Sequence, residues 1–270
     1  MADLRQRETH FEFGANWADF ARCIDDTRIT NAEQCLRNLI GGDLAGKTFL
    51  DIGCGSGLSA LAALRLKATR LKAVDIDENS VATTGALLRL HAPQSDWTVG
   101  RRSIFDMGPA SDGTYDVVYS WGVLHHTGAM WDAIERAASL VAPGGRLVIA
   151  IYQRTPSCTF WTWEKRLYSQ GPTWLAACLR GAYKSAYIGA LIVTGRNPAR
   201  YIAEYGKHRG MRWSNDVHDW LGGYPYESAS SNQIDGFLTK LGFVCENRVL
   251  ANTRLGLLGT GCSEYVYERA

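Results

Sequence analysis

Three glycines at alternate positions separate an apolar segment from a helix-like segment near residue 50. The stretch FLDIGCGSGLSALAAL, residues 49–64, is apolar up to Asp51, passes through Gly53, Gly55 and Gly57, and ends in leucines and alanines. Glycine adopts positive φ readily and carries no Cβ, so a ligand can approach the backbone of such a turn closely. The first N–H groups of the following helix are unpaired. The pattern therefore predicts a strand, a ligand-binding turn and a helix, in that order.

Strand-like and helix-like segments alternate along the following hundred residues. The segments TFLDIG, LKAVDID, WTVGR, YDVVYS and GRLVIAIY predict five strands, and most are separated by helical patterns. Such alternation predicts a parallel sheet with right-handed crossovers. Two last strands, near 243–250 and 262–268, follow one another without a helix, which favours antiparallel neighbours. We therefore predict an α/β fold with a mostly parallel seven-stranded sheet and an antiparallel final strand.

The spacing of the glycines restricts the class of ligand that the turn can bind. A dinucleotide-binding turn of the form GxGxxG would need glycine where this chain has Leu58. This difference disfavours a nicotinamide-dependent oxidoreductase. Asp51 places a carboxylate just before the turn, which suits a ligand with a cationic group better than an anionic one.

Several blocks resemble a known enzyme family. LDIGCGSG resembles motif I of class I S-adenosylmethionine-dependent methyltransferases, YDVVYSWGVLHHTGAMWDAI resembles their fourth-strand block, and LVAPGGRLVIAIY resembles the segment that leads into the fifth strand. Together these blocks span roughly residues 45–154. The chain is also loosely similar to small-molecule O-methyltransferases of the ubiquinone-biosynthesis type. The resemblance implies a Rossmann-like class I methyltransferase fold and S-adenosyl-L-methionine as the cofactor.

The resemblance also implies positions for cofactor contacts. An acid at the end of the second strand, here Asp75, binds the ribose hydroxyls in this family, whereas Asp77 suits a helix N-terminus. Ser103 and Ile104 stand where the family usually has an acid and an apolar residue around the adenine. Trp17 is either a cover over the cofactor or a core residue. The predicted cofactor-binding residues are Trp17, Asp51, Gly53, Gly55, Gly57, Asp75, Ile76, Ser103, Ile104 and Ser120.

The methyl-transfer step requires an aligned acceptor and, for a hydroxyl acceptor, one base. His125 in the segment LHHT matches the base histidine of related phenol methyltransferases, and His126 is the second candidate. Alternatively, both histidines pack around the methionine part of the cofactor. We therefore predict O-methylation of a small molecule such as a secondary metabolite, a sugar or a quinone-like compound. N-methylation and a cofactor-binding but catalytically silent partner subunit remain alternatives.

A basic, aromatic segment follows the fifth strand. Between Thr155 and Trp213 there are nine lysines and arginines against two acids. The segment predicts a helical lid insertion over an anionic or glycosyl acceptor, an interfacial patch for acidic lipids, or, least favoured, a nucleic-acid surface. The predicted acceptor-binding residues are Tyr152, Trp220, Tyr224 and Tyr226.

These assignments divide the chain into four segments. Residues 1–42 form an N-terminal helical cap, 43–154 the cofactor-binding core, 155–232 the lid, and 233–270 a helix and strand hairpin that complete the core. Seven cysteines without a CxxC pair predict no metal site. The start lacks a signal-peptide pattern and no uncharged span is long enough to cross a bilayer, so we expect a cytoplasmic enzyme with a small-molecule acceptor and no nucleic-acid partner. A homodimer and a peripheral membrane contact are left open.

Overall fold

The structure is a computed structural model that describes residues 17, 21, 24–209, 213–253 and 255–270. Apart from residues 17 and 21, the part of the predicted N-terminal cap before residue 24 lies outside the described residues. The strands are β1 (Thr48–Ile52), β2 (Arg70–Asp75), β3 (Trp97–Arg101), β4 (Tyr115–Trp121), β5 (Val141–Tyr152), β6 (Phe243–Val249) and β7 (Cys262–Arg269). Among the described residues from 24 onward, the α-helices are α1 (Asp26–Ile40), α2 (Leu58–Arg65), α3 (Glu78–His91), α4 (Pro109–Asp112), α5 (Met130–Ser139), α6 (Cys158–Gln170), α7 (Thr173–Val193), α8 (Pro198–Arg209), α9 (Trp213–Gly222) and α10 (Ser231–Lys240). Two 3₁₀ turns, Ile104–Asp106 and Leu124–His126, follow β3 and β4.

The seven strands form one sheet in the order β3-β2-β1-β4-β5-β7-β6. The pairs from β3 to β5 are parallel, whereas β7 runs antiparallel to both β5 and β6. The predicted α/β fold, with its mostly parallel sheet and antiparallel final strand, is confirmed. The direction of strand addition reverses between β1 and β4, and ligands of open parallel sheets bind in the crevice at such a reversal.

Both faces of the sheet are buried, as the alternation of apolar residues along its strands requires. Leu50 belongs to one apolar cluster and its neighbour Phe49 to the other. The first cluster includes residues of α5 and α10, and the second includes residues of α1, α2 and α3. A sheet covered by helices on both faces is the three-layer arrangement expected for parallel strands.

Local signals in the sequence explain where several helices begin and end. The side chain of Asp77 accepts a hydrogen bond of 2.7 Å from the backbone N–H of Asn79 and so caps α3, as predicted. Ser230 and Gln233 form a capping box at the start of α10. Gly41 has a φ of 76° and ends α1 in the left-handed conformation that glycine favours.

Helices α6 to α9 follow β5 as an insertion before α10. They pack around a third, mainly aromatic cluster that includes Trp161, Tyr168, Tyr205 and Trp213. None of the described helices combines the length and the apolar composition that a membrane span requires. The exact borders of the four predicted segments stay a prediction.

Candidate active site

A cavity of about 1450 Å³ lies over the carboxyl ends of the central strands and extends to the helical insertion. We call one part of it the glycine end; its wall includes Asp51, Gly53, Gly55, Asp75, Ile76 and Ser103. We call the other part the aromatic end; its wall includes Tyr183, Tyr187, Tyr205, Trp213, Trp220 and the segment between β6 and β7. The turn after β4 and the end of β5 contribute His126 and Tyr152 to the same wall.

Two positions of the glycine turn, Gly53 and Gly57, have no room for a side chain. Gly53 and Gly57 have φ values of 78° and 82°. A Cβ on Gly53 would lie 2.3 Å from Cγ2 of Val123, and a Cβ on Gly57 would lie 2.9 Å from Cα of Thr84. Both distances are shorter than a carbon–carbon contact allows. Gly53 therefore makes room for the turn after β4, whereas Gly57, which does not line the cavity, lets α2 approach α3 closely.

Gly55 lies between these two positions and lines the cavity. Its φ is 51°, and a Cβ there would lie 3.3 Å from the indole ring of Trp17. Trp17 also lines the cavity. The structure thus brings the predicted aromatic cover next to the predicted turn.

Asp51 is the most unusual group at the glycine end. Its side chain is 2 % exposed, it lines the cavity, and its Oδ2 atom has no hydrogen-bond partner among the described residues. Burial, and then the nearby charge of Asp75, raise the pKa of Asp51 to about 7. A buried carboxylate without a partner is costly, so this site suits a ligand that brings a positive charge.

Asp75 both faces the cavity and holds the turn. Its Oδ2 atom accepts a 3.0 Å hydrogen bond from the N–H of Gly55, and its Oδ1 atom accepts a 2.9 Å hydrogen bond from the N–H of Asp77. Burial raises the pKa of Asp75, and these backbone hydrogen bonds oppose the shift. The sequence did not reveal the bond to Gly55, because that contact joins residues twenty positions apart. The neighbouring Ile76 also lines the cavity.

The segment after β3 contributes more residues than predicted. Ser103 and Ile104 line the cavity, and so do Arg102 and Phe105, which the sequence did not single out. The Ser103 hydroxyl accepts a hydrogen bond of 3.3 Å from the N–H of Phe105 and begins the 3₁₀ turn.

Ser120, in contrast, does not line the cavity. Its side chain is fully buried, and its hydroxyl donates a 2.9 Å hydrogen bond to the carbonyl oxygen of Ile52. This bond ties β4 to the end of β1. The geometry therefore gives Ser120 a structural role in place of the predicted cofactor contact.

The two histidines occupy different environments. His125 has no exposed surface and does not line the cavity; its Nδ1 atom lies 3.4 Å from the N–H of Tyr152. Burial above all, followed by the charges of His126 and Lys165, lowers the pKa of His125 well below its usual value. His126 does line the cavity. The geometry therefore moves the prediction of a catalytic base from His125 to His126.

Residues of the insertion fix the position of the His126 ring. Its Nδ1 atom lies 2.7 Å from the carbonyl oxygen of Pro225, which can only accept, so Nδ1 carries the proton of the neutral ring. A Cβ on residue 223 would lie 2.7 Å from Cε1 of His126, so Gly223 leaves the space that the ring needs. In the neutral ring the lone pair is then on Nε2.

Two of the four predicted acceptor residues line the cavity. Tyr152 and Trp220 do so, with ring centroids 5.4 Å apart in an edge-to-face contact. Tyr224 and Tyr226 are buried and lie behind the wall. The Tyr226 hydroxyl shares a 3.0 Å hydrogen bond with Thr260. Their positions indicate that they support the wall and do not contact an acceptor directly.

The segment between β6 and β7 is the main part of the wall that the sequence did not reveal. The carbonyl oxygen of Gly256 accepts hydrogen bonds from the Trp161 indole at 2.7 Å and the Ser157 hydroxyl at 2.9 Å. The Tyr183 hydroxyl donates a 2.7 Å hydrogen bond to the carbonyl oxygen of Leu258. These bonds hold the segment against α6 and α7, so the wall joins parts of the chain that are 75 to 99 residues apart.

The charged residues of the wall are mostly acidic. Asp216 and Asp219 of α9 lie at the aromatic end, and Asp216 accepts a hydrogen bond from the Tyr205 hydroxyl. Arg102, near the glycine end, is the one lysine or arginine among the described residues of the wall. Within the described ranges no group of three or more His, Cys, Asp or Glu side chains is arranged to hold a metal ion.

Comparisons with known proteins agree with this geometry. Residues 28–208 match the family described as "Methyltransferase domain". The Ubiquinone biosynthesis O-methyltransferase of Xanthomonas euvesicatoria pv. vesicatoria (strain 85-10) is 34 % identical over 117 residues, which are 43 % of this chain and 47 % of that protein. The 27-O-demethylrifamycin SV methyltransferase of Amycolatopsis mediterranei (strain S699) is 29 % identical over 148 residues, 52 % of this chain and 51 % of that protein. The chain thus matches about half the length of these curated relatives.

A solved structure extends the likeness to the whole fold. Magnesium protoporphyrin IX methyltransferase (ChlM) from Synechocystis PCC 6803, crystallised with bound SAH, superposes with a TM-score of 0.55 at 18 % identity, over 92 % of this chain and 86 % of that chain. A second structure of the same protein contains bound SAM. The matched family covers more than half of the chain and includes the glycine turn. The chain belongs to the methyltransferase-domain family and has the fold of class I methyltransferases.

Proposed function

We propose that this enzyme methylates a hydroxyl group of a small-molecule acceptor and that His126 is the general base. The observation that carries the proposal is the position of His126 on the cavity wall. The turn that carries His126 contacts the glycine end, where Val123 packs against Gly53. The His126 ring contacts Tyr152, and Tyr152 contacts Trp220 at the aromatic end. The names of the two curated relatives, both O-methyltransferases, also support an oxygen acceptor.

The residues of the glycine end fit the cofactor. S-adenosylmethionine, when bound, supplies a methyl group that its sulfonium charge has already activated. The buried carboxylate of Asp51 would neutralise the cationic part of the cofactor, and Asp75 would bind the ribose hydroxyls. Ser103 and Ile104 would border the adenine, and Trp17 would cover the site beside Gly55. The unpartnered Oδ2 atom of Asp51 is the structural observation that favours a cationic ligand here.

The tautomer of the His126 ring allows it to accept a proton at Nε2. The carbonyl oxygen of Pro225 keeps the proton on Nδ1, so Nε2 has the lone pair that a general base needs. During transfer the acceptor hydroxyl would lose its proton to Nε2 while its oxygen forms a bond to the methyl carbon. Buried His125, whose pKa is lowered, stays neutral beside it and adds no positive charge.

The aromatic end indicates the kind of acceptor. Tyr152, Tyr183, Tyr187, Trp213 and Trp220 offer ring faces and edges for an aromatic or carbohydrate-like molecule. The volume of about 1450 Å³ exceeds the roughly 300–1,000 Å³ of common ligand pockets, which leaves space for an acceptor beside the cofactor.

The basic residues of the insertion do not support an anionic acceptor. Lys165 is fully buried, Arg180 lies beside Tyr168 and His218, and exposed Arg200 pairs with Glu204. None of these three lines the cavity. The acids Asp216 and Asp219 do line it. We therefore favour an uncharged or cationic acceptor over a phosphorylated one.

The proposal is tested by acceptor screening with mass spectrometry of the products. Wild-type enzyme, His126→Gln and His125→Gln are incubated with S-adenosylmethionine and a panel of phenols, glycosides, phosphorylated analogues and amines. We expect an O-methyl product from an uncharged phenol or glycoside, lost in His126→Gln with cofactor binding retained. Products from amines alone would replace the proposal with N-methylation. Full activity of His126→Gln would refute the assignment of the base.

A further inference from the structure

Lys165, on α6, is a buried lysine that the proposed reaction does not use. Its side chain has no exposed surface, and its Nζ atom has no hydrogen-bond partner among the described residues. Nζ lies 3.6 Å from the centroid of the Trp220 ring, 5.3 Å from that of Tyr226 and 6.0 Å from that of Trp161. The ammonium group is therefore enclosed by aromatic rings, which attract a cation through their faces.

The charged and titratable groups around Lys165 come from several elements. Glu164 is on the same helix, Asp219 is on α9, Cys262 begins β7, and His125 follows β4. Burial lowers the pKa of Lys165, and the charge of Glu164, followed by those of Asp219 and Cys262, opposes this shift. Burial raises the pKa of Glu164, and the charge of Lys165 opposes that shift. Burial is the larger effect, and it lowers the pKa of Lys165 to about 7, so the lysine carries its proton below about pH 7. The Trp220 ring is the aromatic ring closest to Nζ.

Trp220 connects this buried group with the cavity. It lines the cavity wall, and its indole Nε1 atom has no hydrogen-bond partner among the described residues. No polar contact of the indole therefore fixes the orientation of the ring. Its contact with Lys165 favours one orientation, because a cation binds the face of the ring and not its edge.

From Trp220 a series of ring contacts leads to the proposed base. Trp220 meets Tyr152 edge to face, with centroids 5.4 Å apart and an interplanar angle of 89°. Tyr152 meets His126 at 5.3 Å, also at 89°. All three rings line the cavity. A rotation of Trp220 would thus change the wall on which an acceptor rests beside His126.

We propose that Lys165 is a positioning residue, which fixes the Trp220 ring through a cation–π contact and thereby sets the place of the acceptor against His126. The functional part of this inference rests on the proposed function. Lys165 itself touches neither the cavity nor the acceptor. Its effect should appear in acceptor binding and not in cofactor binding, because Trp220 belongs to the aromatic end.

The first experiment does not depend on the acceptor. The indole ¹⁵N–H signal of Trp220, assigned with Trp220→Phe, is recorded by NMR in wild type, in Lys165→Met and in Arg166→Met. Arg166 is the exposed neighbour on the same helix and serves as the matched control. We expect one narrow signal in wild type and in Arg166→Met, and a shifted, broadened or split signal in Lys165→Met. An unchanged signal in Lys165→Met would overturn the proposal.

The second experiment uses an accepted hydroxyl substrate. We expect Lys165→Met to raise the acceptor KM about tenfold, with the dissociation constant of S-adenosylmethionine unchanged within twofold. Combining Lys165→Met with Trp220→Phe should add little to either single change. Additive losses, or equal losses in cofactor binding, would overturn the proposal. If no hydroxyl acceptor is methylated, the proposed function is wrong. The NMR experiment then tests the contact between Lys165 and Trp220 by itself.

A further variant covers the case in which Lys165→Met does not fold. Glu164→Gln keeps the lysine but removes the charge that most favours its protonated form. Lys165 should then lose its proton at lower pH than in wild type. The acceptor affinity should fall at that lower pH, and the Trp220 signal should shift at the same pH. Superimposable pH profiles for the two proteins would overturn the proposal.

Discussion

Replacement of Asp51 by asparagine should remove a pH dependence from cofactor binding. Burial and the charge of Asp75 raise the pKa of Asp51 to about 7, so the free enzyme carries a proton there over much of the acidic range. A cationic cofactor binds better when this carboxyl is ionised, and binding therefore releases the proton. The α-amino group of the cofactor, with a pKa near 8, stays mostly charged below about pH 7.

The size of the effect follows from linkage between binding and protonation. For one carboxyl with a pKa of about 7 in the free enzyme, and a normal pKa in the complex, the affinity falls about 15-fold from about pH 7 to about pH 5.5. The direction of this change follows from the raised pKa of Asp51. Above about pH 7 the carboxylate is ionised and binds the cation, and this affinity is lost as the pH falls below about 7. In Asp51→Asn the same interval should change the affinity less than about threefold, while the affinity at about pH 7 is lower than in wild type.

Isothermal titration calorimetry with S-adenosylmethionine and S-adenosylhomocysteine provides the assay. Titrations in buffers of different ionisation enthalpy also count the protons released. Asp106→Asn is a suitable control, because Asp106 is an exposed acid that does not line the cavity. A wild-type affinity that is constant over this interval, or an equally steep dependence in Asp51→Asn, would refute the reasoning.

Four further predictions concern the site and the elements that support it. Without cofactor, Asp51→Asn should melt at a higher temperature than wild type at about pH 8 in calorimetry, since the raised pKa means that ionised Asp51 destabilises the fold above about pH 7. His126→Gln should lower kcat by about 10² to 10⁴ with cofactor affinity kept, as measured by S-adenosylhomocysteine release and calorimetry; a loss below tenfold would argue against a base. Gly57→Ala should lower the free energy of unfolding in urea by about 3 kcal/mol, because residue 57 has a positive φ and the new Cβ would clash with Thr84. The control Gly181→Ala, on an open helix face, should not lower the free energy of unfolding. Ser120→Ala should cost about 1 kcal/mol and leave cofactor affinity unchanged, and a large loss of affinity would restore Ser120 as a cofactor contact.

Local patterns were sufficient to predict the order of strands and helices. Asp77 caps α3, and the glycine turn lies between β1 and α2 because residues within a few positions of each other determine both features. The hairpin of β6 and β7 was predicted from the lack of a helix between them. Its place in the sheet, with β7 between β5 and β6, cannot be derived from the residues of the two strands.

The site was harder to predict, because many of its contacts join distant parts of the chain. Both histidines follow β4, and the sequence gives no sign that His125 is buried while His126 reaches the cavity. The role of Ser120 depends on its bond to Ile52, on another strand. The wall segment held by Trp161 and Tyr183 lies 75 to 95 residues further along the chain. Residue type and spacing carry no information about such pairings.

The position of β7 has a consequence for biosynthesis. Although β7 is the last of these seven strands to leave the ribosome, it is an interior strand with partners on both sides, and Leu147 of β5 pairs with Tyr267 across 120 residues. While β7 is still in the exit tunnel, the nascent sheet has an open edge at β5, and β6 has no partner. Open strand edges are sites of aggregation, and long-range pairings form slowly. Shielding of β5 by a chaperone until β7 has emerged should therefore raise the yield of this protein more than faster folding of its glycine turn.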